Sequence, residues 1–233
     1  MPNEEIERSQ TAERLVADAA AEAVPQVRPA APAVRKRPKP GERRVQILQT
    51  LAAMLERPGA ERVTTAALAA QLAVSEAALY RHFASKAQMF EGLIDFIEQS
   101  VFTLVNQILE RDASSARERA SRIVTMLIQF AEKNPGMTRV MVGDALVYEH
   151  ERLQNRMNQF FDRIESTLRQ ALRATGDRDA LDPNPTGGTP TLDAQVRAAV
   201  LVAFVVGRLQ RFARSGFRRL PSEHLDASLA LMF

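Results

Sequence analysis

The chain of 233 residues contains no cysteine and no tryptophan. The absence of cysteine excludes disulfide bonds, cysteine-ligated zinc and thiol catalysis, and it is typical of proteins from a reducing cytoplasm. Long apolar runs are missing too: AAVLVAFVVG at 198–207 is about half of a membrane span. The opening segment MPNEEIERSQ is acidic and lacks an apolar stretch, so it predicts no secretory signal. We therefore expect a soluble cytoplasmic protein that does not contact a membrane.

The sequence also lacks the signatures of common catalytic sites. Its three histidines, His82, His150 and His224, are far apart along the chain. The segment HERLQ lacks the second histidine of a zinc helix, and PTGGTP lacks the lysine of a phosphate-binding loop. The sequence therefore predicts no enzyme, no catalytic residue, no metal and no cofactor.

Charge is distributed unevenly along a chain whose net charge is only +3. Residues 1–24 carry six acidic and two basic side chains, whereas residues 28–44 carry seven basic side chains and one acidic. The first forty residues are rich in alanine and proline and cannot bury enough apolar surface to fold. We expect residues 1–40 to form a disordered arm that is basic at its end. Such a block suits a polyanion such as DNA, a solvated linker being the alternative.

From residue 41 onward the apolar residues recur at helical spacings, and we find no strand pattern. This periodicity predicts an all-α protein. Helices are expected near 45–55, 86–110, 115–133, 153–172 and 196–207, with a short one after residue 221. The segment Pro58-Gly59 should end the first helix, and the Gly-, Pro- and Asp-rich stretch at 175–190 is typical of a surface loop.

Two short alanine-rich helices are predicted within TTAALAAQLAVSEAALY at 64–80. Thr64 or Thr65 can cap the first helix and Ser75 the second, with about three residues between them. This arrangement is typical of a helix-turn-helix, although an ordinary helical hairpin is the alternative. The small side chains of Ala77 and Ala78 would let the second helix enter the major groove, where an alanine methyl can meet a thymine methyl.

Polar and charged groups surround this second helix. Glu76 can accept a bond from a cytosine amino group or simply favour the positive helix end, and both interpretations stay open. Tyr80, Arg81 and His82 are placed to reach phosphates. Lys86 lies in the first turn of the next helix, which Ser85 caps, and adds charge to a phosphate clamp. The predicted DNA-binding residues are Thr64, Thr65, Ser75, Glu76, Ala77, Ala78, Tyr80, Arg81, His82 and Lys86.

At LYRHFASKAQMF the sequence strongly resembles the end of the TetR-type DNA-binding domain, in which an aromatic pair and a lysine close the motif. The segments ERVTTAALAAQLAVSEAALYRHFASKAQMFEGLIDFIE and EKNPGMTRVMVGDALVYEHERLQNRMNQFFDRIE resemble the nucleoid occlusion factors of that family. This resemblance covers most of residues 42–217. It implies a helix-turn-helix three-helix domain at 41–88 and a helical dimerisation and partner-binding domain at 89–233. Ala73 departs from the glycine that is common in the interhelix turn, where a left-handed residue would cost alanine about 1 kcal/mol.

The resemblance implies a dimer that binds palindromic double-stranded DNA at the nucleoid and inhibits assembly of the tubulin-like division GTPase FtsZ. A dimer of dimers on DNA stays open. The FtsZ tail would dock in a groove between the long helix after the DNA-binding domain and the next helix, at Phe96, Met126, Phe130, Lys133 and Asn134. The main alternative is a ligand-responsive TetR-type transcriptional repressor, although no small-molecule ligand is evident from the residues.

Two apolar stripes in the C-terminal half predict where the dimer forms. In the TetR architecture the last two long helices of each chain pair across a two-fold axis into a four-helix bundle. The alternative is that both stripes pack within one chain. The predicted interface consists of Leu153, Met157, Phe160, Ile164, Leu168, Val196, Val200 and Phe204.

Overall fold

The computed structural model describes residues 41–57, 63–111, 115–173 and 190–233, and the regular structure in these ranges is entirely helical. This confirms the all-α class. The predicted arm at 1–40, the break at 58–59 and nearly all of the loop at 175–190 lie outside the described residues. The helices are α1 Glu42–Leu55, α2 Thr65–Gln71, α3 Glu76–Tyr80, α4 Lys86–Arg111, α5 Ala116–Lys133, α6 Pro135–Met141, α7 Glu151–Arg173, α8 Pro190–Arg214 and α9 Leu225–Met232, with a 3₁₀ turn at Asp144–Leu146.

One apolar core runs through the described parts of the chain. Helices α4, α5, α7 and α8 pack against one another and enclose most of it. Helices α1 to α3 add Ile47, Leu51, Leu68 and Leu79, each at most 1% exposed, to the same cluster. The DNA-binding helices therefore do not have a separate core.

The apolar stripe of α7 faces the interior of its own chain. Leu153, Met157, Phe160, Ile164 and Leu168 are each at most 2% exposed, because α7 packs against α4, α5 and α8. The expectation that these five residues form the dimer interface was therefore wrong. Periodicity shows that a helix face is buried, but it does not show whether the same chain or a second chain covers that face.

Helix α8 keeps an apolar stripe uncovered. Leu192, Val196 and Val200 are 46%, 40% and 49% exposed, and Phe204 is half-buried. A Cβ atom added at Gly207 would meet nothing within 4 Å. Spacings of four and seven residues place Leu192, Val196, Val200 and Gly207 on one side of the helix. This stripe has the composition of a helix face that packs against another chain.

Helix α6 joins the C-terminal helices to α1 at very short range. A Cβ atom added at Gly136 would lie 2.0 Å from the carbonyl oxygen of Ala52, so only glycine fits at this position. The Glu56 carboxylate accepts a hydrogen bond from the backbone of Gly136, and burial raises the pKa of Glu56. Nearby, Arg139 Nη1 donates to the carbonyl oxygen of Leu55 at 3.4 Å.

The turn between α2 and α3 is a Schellman motif in which alanine takes the left-handed position. Ala73 has φ +52°. Its N–H donates to the Ala70 carbonyl at 3.1 Å, and the N–H of Val74 donates to the Ala69 carbonyl at 3.0 Å. These two bonds satisfy the last carbonyl groups of α2. An L-residue in this conformation is strained by about 1–2 kcal/mol. The rest of the fold must therefore offset the cost of having alanine instead of glycine in this turn.

Replacing Ala73 by glycine should relieve this strain. We expect Ala73→Gly to raise the free energy of unfolding by about 0.5–1 kcal/mol, because glycine also gains freedom in the unfolded chain and offsets part of the relief. Ala70→Gly, at an exposed position within α2, is the matched control and should lower stability by about 0.5–1 kcal/mol. Urea denaturation followed by circular dichroism measures both changes. A loss of stability in Ala73→Gly would contradict the strained turn.

Candidate nucleic-acid interface

The starts of α2 and α3 are tied together on one exposed surface. Thr64 caps α2, since its Oγ1 accepts a bond from the N–H of Ala67 at 3.1 Å. Thr65 Oγ1 donates to Glu76 Oε2 at 2.6 Å. Thr65 is the first residue of α2 and Glu76 the first of α3, so this bond fixes the relative position of the two helices. Glu76 thus has a protein partner on the surface where a cytosine contact was expected.

Helix α3 presents small side chains to solvent. Ala77 is exposed and Ala78 half-buried, while Leu79 beneath them is 1% exposed. Ser75 occupies the N-cap position, but its hydroxyl forms no capping bond. The N–H of Ala78 instead donates to the Ser75 carbonyl at 2.9 Å, so the backbone already satisfies the group that the hydroxyl was expected to cap. With only methyl groups on this side, the backbone of α3 can approach base edges closely.

The residues after α3 combine an aromatic hydroxyl with cationic and imidazole groups. Tyr80 is 45% exposed, and Arg81 and His82 are exposed beside it. These are the side-chain types that hydrogen-bond to phosphate oxygens at the edge of a groove.

Arg44 holds this turn from behind, a role that the sequence pattern did not reveal. Its Nη1 donates to the carbonyl oxygen of His82 at 3.0 Å. Its guanidinium carbon lies 4.1 Å from the ring centroid of Phe83. In the sequence, Arg44 was only one of several basic residues between 28 and 44. Nothing in its spacing indicated a partner 38 positions away.

The structure gives Lys86 a partner other than phosphate. Its ammonium group forms an ion pair with Glu149, whose side chain is 10% exposed, and the Lys86 side chain is 25% exposed. Lys86 begins α4 and Glu149 lies just before α7, so the pair ties the end of the helix-turn-helix to the C-terminal helices. The expected capping of α4 is present: Ser85 Oγ accepts a bond from the N–H of Gln88 at 3.2 Å. The predicted phosphate clamp required an unpaired charge on Lys86, and the structure instead pairs that charge with Glu149.

Most of the predicted partner groove is buried. Met126, Phe130 and Asn134 are 4%, 2% and 3% exposed, and the side-chain nitrogen of Asn134 donates to the Phe130 carbonyl at 2.8 Å. Met126 and Phe130 belong to the core and Asn134 closes the end of α5, so these three side chains are not presented to a partner. Phe96 is half-buried, and Lys133 is exposed without a salt bridge in the described parts of the chain.

An open cleft of about 540 Å³ between α4 and α7 is crossed by ion pairs. Arg152 Nε lies 2.8 Å from Glu91 Oε1, and Arg156 Nη2 lies 2.6 Å from Glu98 Oε2 and 2.5 Å from Asp95 Oδ1. The hydrogen bond with Glu98 raises the pKa of Arg156 further above its ordinary value. This charged, solvent-facing groove differs from the enclosed apolar cavities that bind most small effectors.

The described residues show neither a metal site nor a membrane-spanning helix. They contain no group of three or more side chains of the metal-ligating types placed to hold an ion. None of their helices has the length and apolar character that crossing a membrane requires.

An exposed helix-turn-helix joined to a larger helical domain defines the TetR class of DNA-binding regulators, and comparison with known proteins agrees. Residues 47–93 match the model for bacterial regulatory proteins of the tetR family. Residues 115–233 match the SlmA-like model described as a tetracyclin repressor-like C-terminal domain.

Comparison with individual proteins identifies a narrower group within this class. The nucleoid occlusion factor SlmA of Idiomarina loihiensis is 48% identical over 190 residues, which cover 82% of this chain and 93% of that protein. The SlmA protein of Photobacterium profundum is 50% identical over 189 residues, which cover 81% of this chain and 92% of that protein. A solved structure of AibR with isovaleryl coenzyme A and operator DNA matches with a TM-score of 0.61 and 18% identity, and the match covers 82% of this chain and 98% of that one. At this identity the match shows a shared fold only. The chain belongs to the TetR family, among its SlmA-type nucleoid occlusion factors.

The ion pair of Lys86 predicts unequal effects of two charge-neutralising variants on DNA binding. Each phosphate contact contributes about 0.9 to the slope of log affinity against log salt. Arg81→Gln should therefore reduce this slope by about 2 for a dimer with two half-sites. Lys86→Gln should reduce it by less than half as much, because Glu149 already compensates its charge.

Fluorescence anisotropy of a labelled duplex over a series of potassium chloride concentrations measures these slopes. Arg173→Gln, which removes an exposed arginine at the end of α7, is the matched control and should leave the slope unchanged. Equal loss of slope in the Arg81 and Lys86 variants would show that Lys86 contacts phosphate directly.

Proposed function

We propose that this nucleoid occlusion factor binds palindromic sites in chromosomal DNA as a homodimer and inhibits assembly of the FtsZ ring over the nucleoid. The proposal rests on one observation above others. Identity of about one half to SlmA proteins spans both the helix-turn-helix and the C-terminal domain. The site of action is then the cytoplasm, on the nucleoid.

The DNA-binding mode follows from the exposed surface of α2 and α3. Ala77 and Ala78 let α3 lie in the major groove, while Thr64, Tyr80, Arg81 and His82 contact the flanking phosphates. The hydroxyl group of Ser75, at the start of the same helix, forms no capping bond and can therefore contact DNA. A two-fold dimer places its two recognition helices about 34 Å apart, one turn of DNA, and so reads a palindrome.

The exposed stripe of α8 supports the homodimer. We assign the interface to Leu192, Val196, Val200 and the neighbouring Phe204, with close helix approach at Gly207. The α7 side of the interface must come from side chains outside its buried stripe. Phe161 on α7 is half-buried and packs against the edge of the core, which suits this role.

Introducing a carboxylate into this stripe should dissociate the dimer. We expect Val200→Glu to weaken dimerisation by at least about 100-fold, because a buried unpaired charge costs several kcal/mol. Leu231→Glu, at a position 90% exposed on α9, is the matched control and should leave the mass unchanged. Sedimentation equilibrium measures both variants. If the Val200→Glu protein is still a dimer, the assignment of α8 to the interface is wrong.

The partner surface is smaller than the sequence suggested. Phe96 on α4 and Lys133 at the end of α5 are the two predicted residues that remain accessible, and α4 packs against α5. An exposed ammonium on α5 and a half-buried aromatic ring on the neighbouring α4 suit an extended peptide with acidic and apolar residues, such as the FtsZ tail.

The experiment is fluorescence anisotropy of a labelled FtsZ C-terminal tail peptide titrated with the full chain, with and without a palindromic duplex selected from random DNA. We expect saturable binding that is stronger with the duplex. Lys133→Gln should weaken it about 3- to 5-fold, as the loss of one exposed ion pair does. Arg173→Gln, an exposed charge at the far end of α7, should have no effect. Tight binding of the duplex without any peptide binding would instead leave a ligand-responsive TetR-type repressor.

A further inference from the structure

The end of α8 and the start of α9 enclose a cleft with an unusual concentration of positive charge. The cleft has a volume of about 210 Å³, and its charged or titratable lining is Arg208, Arg211, Arg219, His224 and Glu223. Three guanidinium groups therefore face a single carboxylate.

Two of these arginines have no carboxylate partner in the described parts of the chain. Arg152, Arg156 and Arg197 each form a salt bridge with an acidic side chain, but Arg211 and Arg219 form none. Both are exposed at the mouth of the cleft. Unpaired guanidinium groups that converge on one space repel each other, and an anion between them would remove that repulsion.

Arg208 forms a fixed wall of the cleft. Its Nη1 donates to the carbonyl oxygen of Glu223 at 2.5 Å, and its Nη2 donates to Ser228 Oγ at 2.8 Å. The guanidinium carbon lies 4.8 Å from the ring centroid of Phe204. All three partners are uncharged groups, so the positive charge of Arg208 is oriented but not neutralised.

The backbone that carries Arg219 is held in a defined turn. The N–H of Phe217 donates to the Phe212 carbonyl at 3.0 Å, and the two rings lie 5.1 Å apart at their centroids, as in a Schellman motif. Ser215 Oγ accepts bonds from the N–H groups of Arg218 and Arg219 at 3.1 and 2.9 Å.

One residue that lines the cleft and one just before Arg219 have left-handed backbone conformations. Phe217 has φ +63° and His224 has φ +54°. Such conformations are strained for side chains of this kind, and strain of this type concentrates at functional sites.

We propose that this cleft binds a phosphate-bearing anion. Guanidinium groups bind phosphate oxygens through paired, charge-assisted hydrogen bonds, and Arg211 and Arg219 have donors available for them. The volume is below that of sites for drug-sized ligands, so the occupant is a small anion or one part of a larger one. Glu223 reduces the positive charge of the cleft without cancelling it.

The position of the cleft leaves two sources for the phosphate. The start of α8 is fixed at the same end of the molecule as the start of α5, because Arg197 Nη1 donates to the carbonyl oxygen of Phe233 at 3.4 Å and Arg117 lies 5.7 Å from the Phe233 ring. Helix α8 therefore ends toward α6, which packs against both α1 and α8. The cleft is carried by this end of α8, on the side of the C-terminal domain where α6 meets α1. Either a free phosphate compound or the DNA backbone can supply the anion.

The test uses the full-length double variant Arg211→Gln/Arg219→Gln, with Arg173→Gln as a matched control for loss of an exposed arginine. The first arm is isothermal titration calorimetry with inorganic pyrophosphate in the absence of DNA. If a free phosphate is bound, the unsubstituted protein and the control bind pyrophosphate saturably, and the double variant binds at least tenfold more weakly.

The second arm measures the affinity for a palindromic duplex over a series of salt concentrations. If DNA supplies the phosphates, the double variant lowers the salt slope by about 3 to 4 for a dimer that loses four contacts, and the control leaves it unchanged. A positive result in either arm supports the site and identifies the source of the phosphate. Unchanged thermal unfolding and dimer mass show that the variant is folded. A folded variant that changes neither pyrophosphate binding nor the salt slope overturns the proposal.

Discussion

The contact between Gly136 and Ala52 is the constraint on which the rest of the molecule depends. At this point the start of α6 lies against the backbone of α1 so closely that no side chain fits between them. The Glu56 carboxylate, placed by the same contact, accepts a bond from the Gly136 backbone. Because α1 also carries Arg44, which holds the turn after the recognition helix, the position of α3 is defined relative to the C-terminal helices. The ion pair between Lys86 and Glu149 provides a second connection to them.

The C-terminal helices bury most of their apolar surface within the chain and leave one apolar stripe exposed. Helix α7 places its stripe entirely inward, so the four long helices of one chain enclose most of the core without help from a second chain. Helix α8 supplies the remaining exposed stripe, in which Val196, Val200 and Gly207 lie on the same side. In the proposed dimer, a chain that is already folded associates through the exposed face of α8 and neighbouring side chains of α7, which aligns two recognition helices without rebuilding either core.

Local features of the structure could be predicted from the sequence, whereas long-range pairings could not. The caps at Thr64 and Ser85 and the left-handed Ala73 follow from residues within a few positions of each other. The Lys86–Glu149 pair joins residues 63 positions apart, and the Arg44–His82 bond spans 38. No spacing rule connects such residues, because only the packed helices bring them together. The same limit explains the α7 stripe, whose period indicates burial but not the identity of the covering surface.

We propose that the exposed helix-turn-helix places this protein at many positions on the chromosome, as nucleoid occlusion requires. Chromatin immunoprecipitation followed by sequencing, in cells that carry either the unsubstituted chain or Arg81→Gln, tests this most directly. We expect numerous dispersed sites that share one palindrome and lose occupancy in the variant. Occupancy confined to a few promoters would contradict it and would identify a local transcriptional repressor instead.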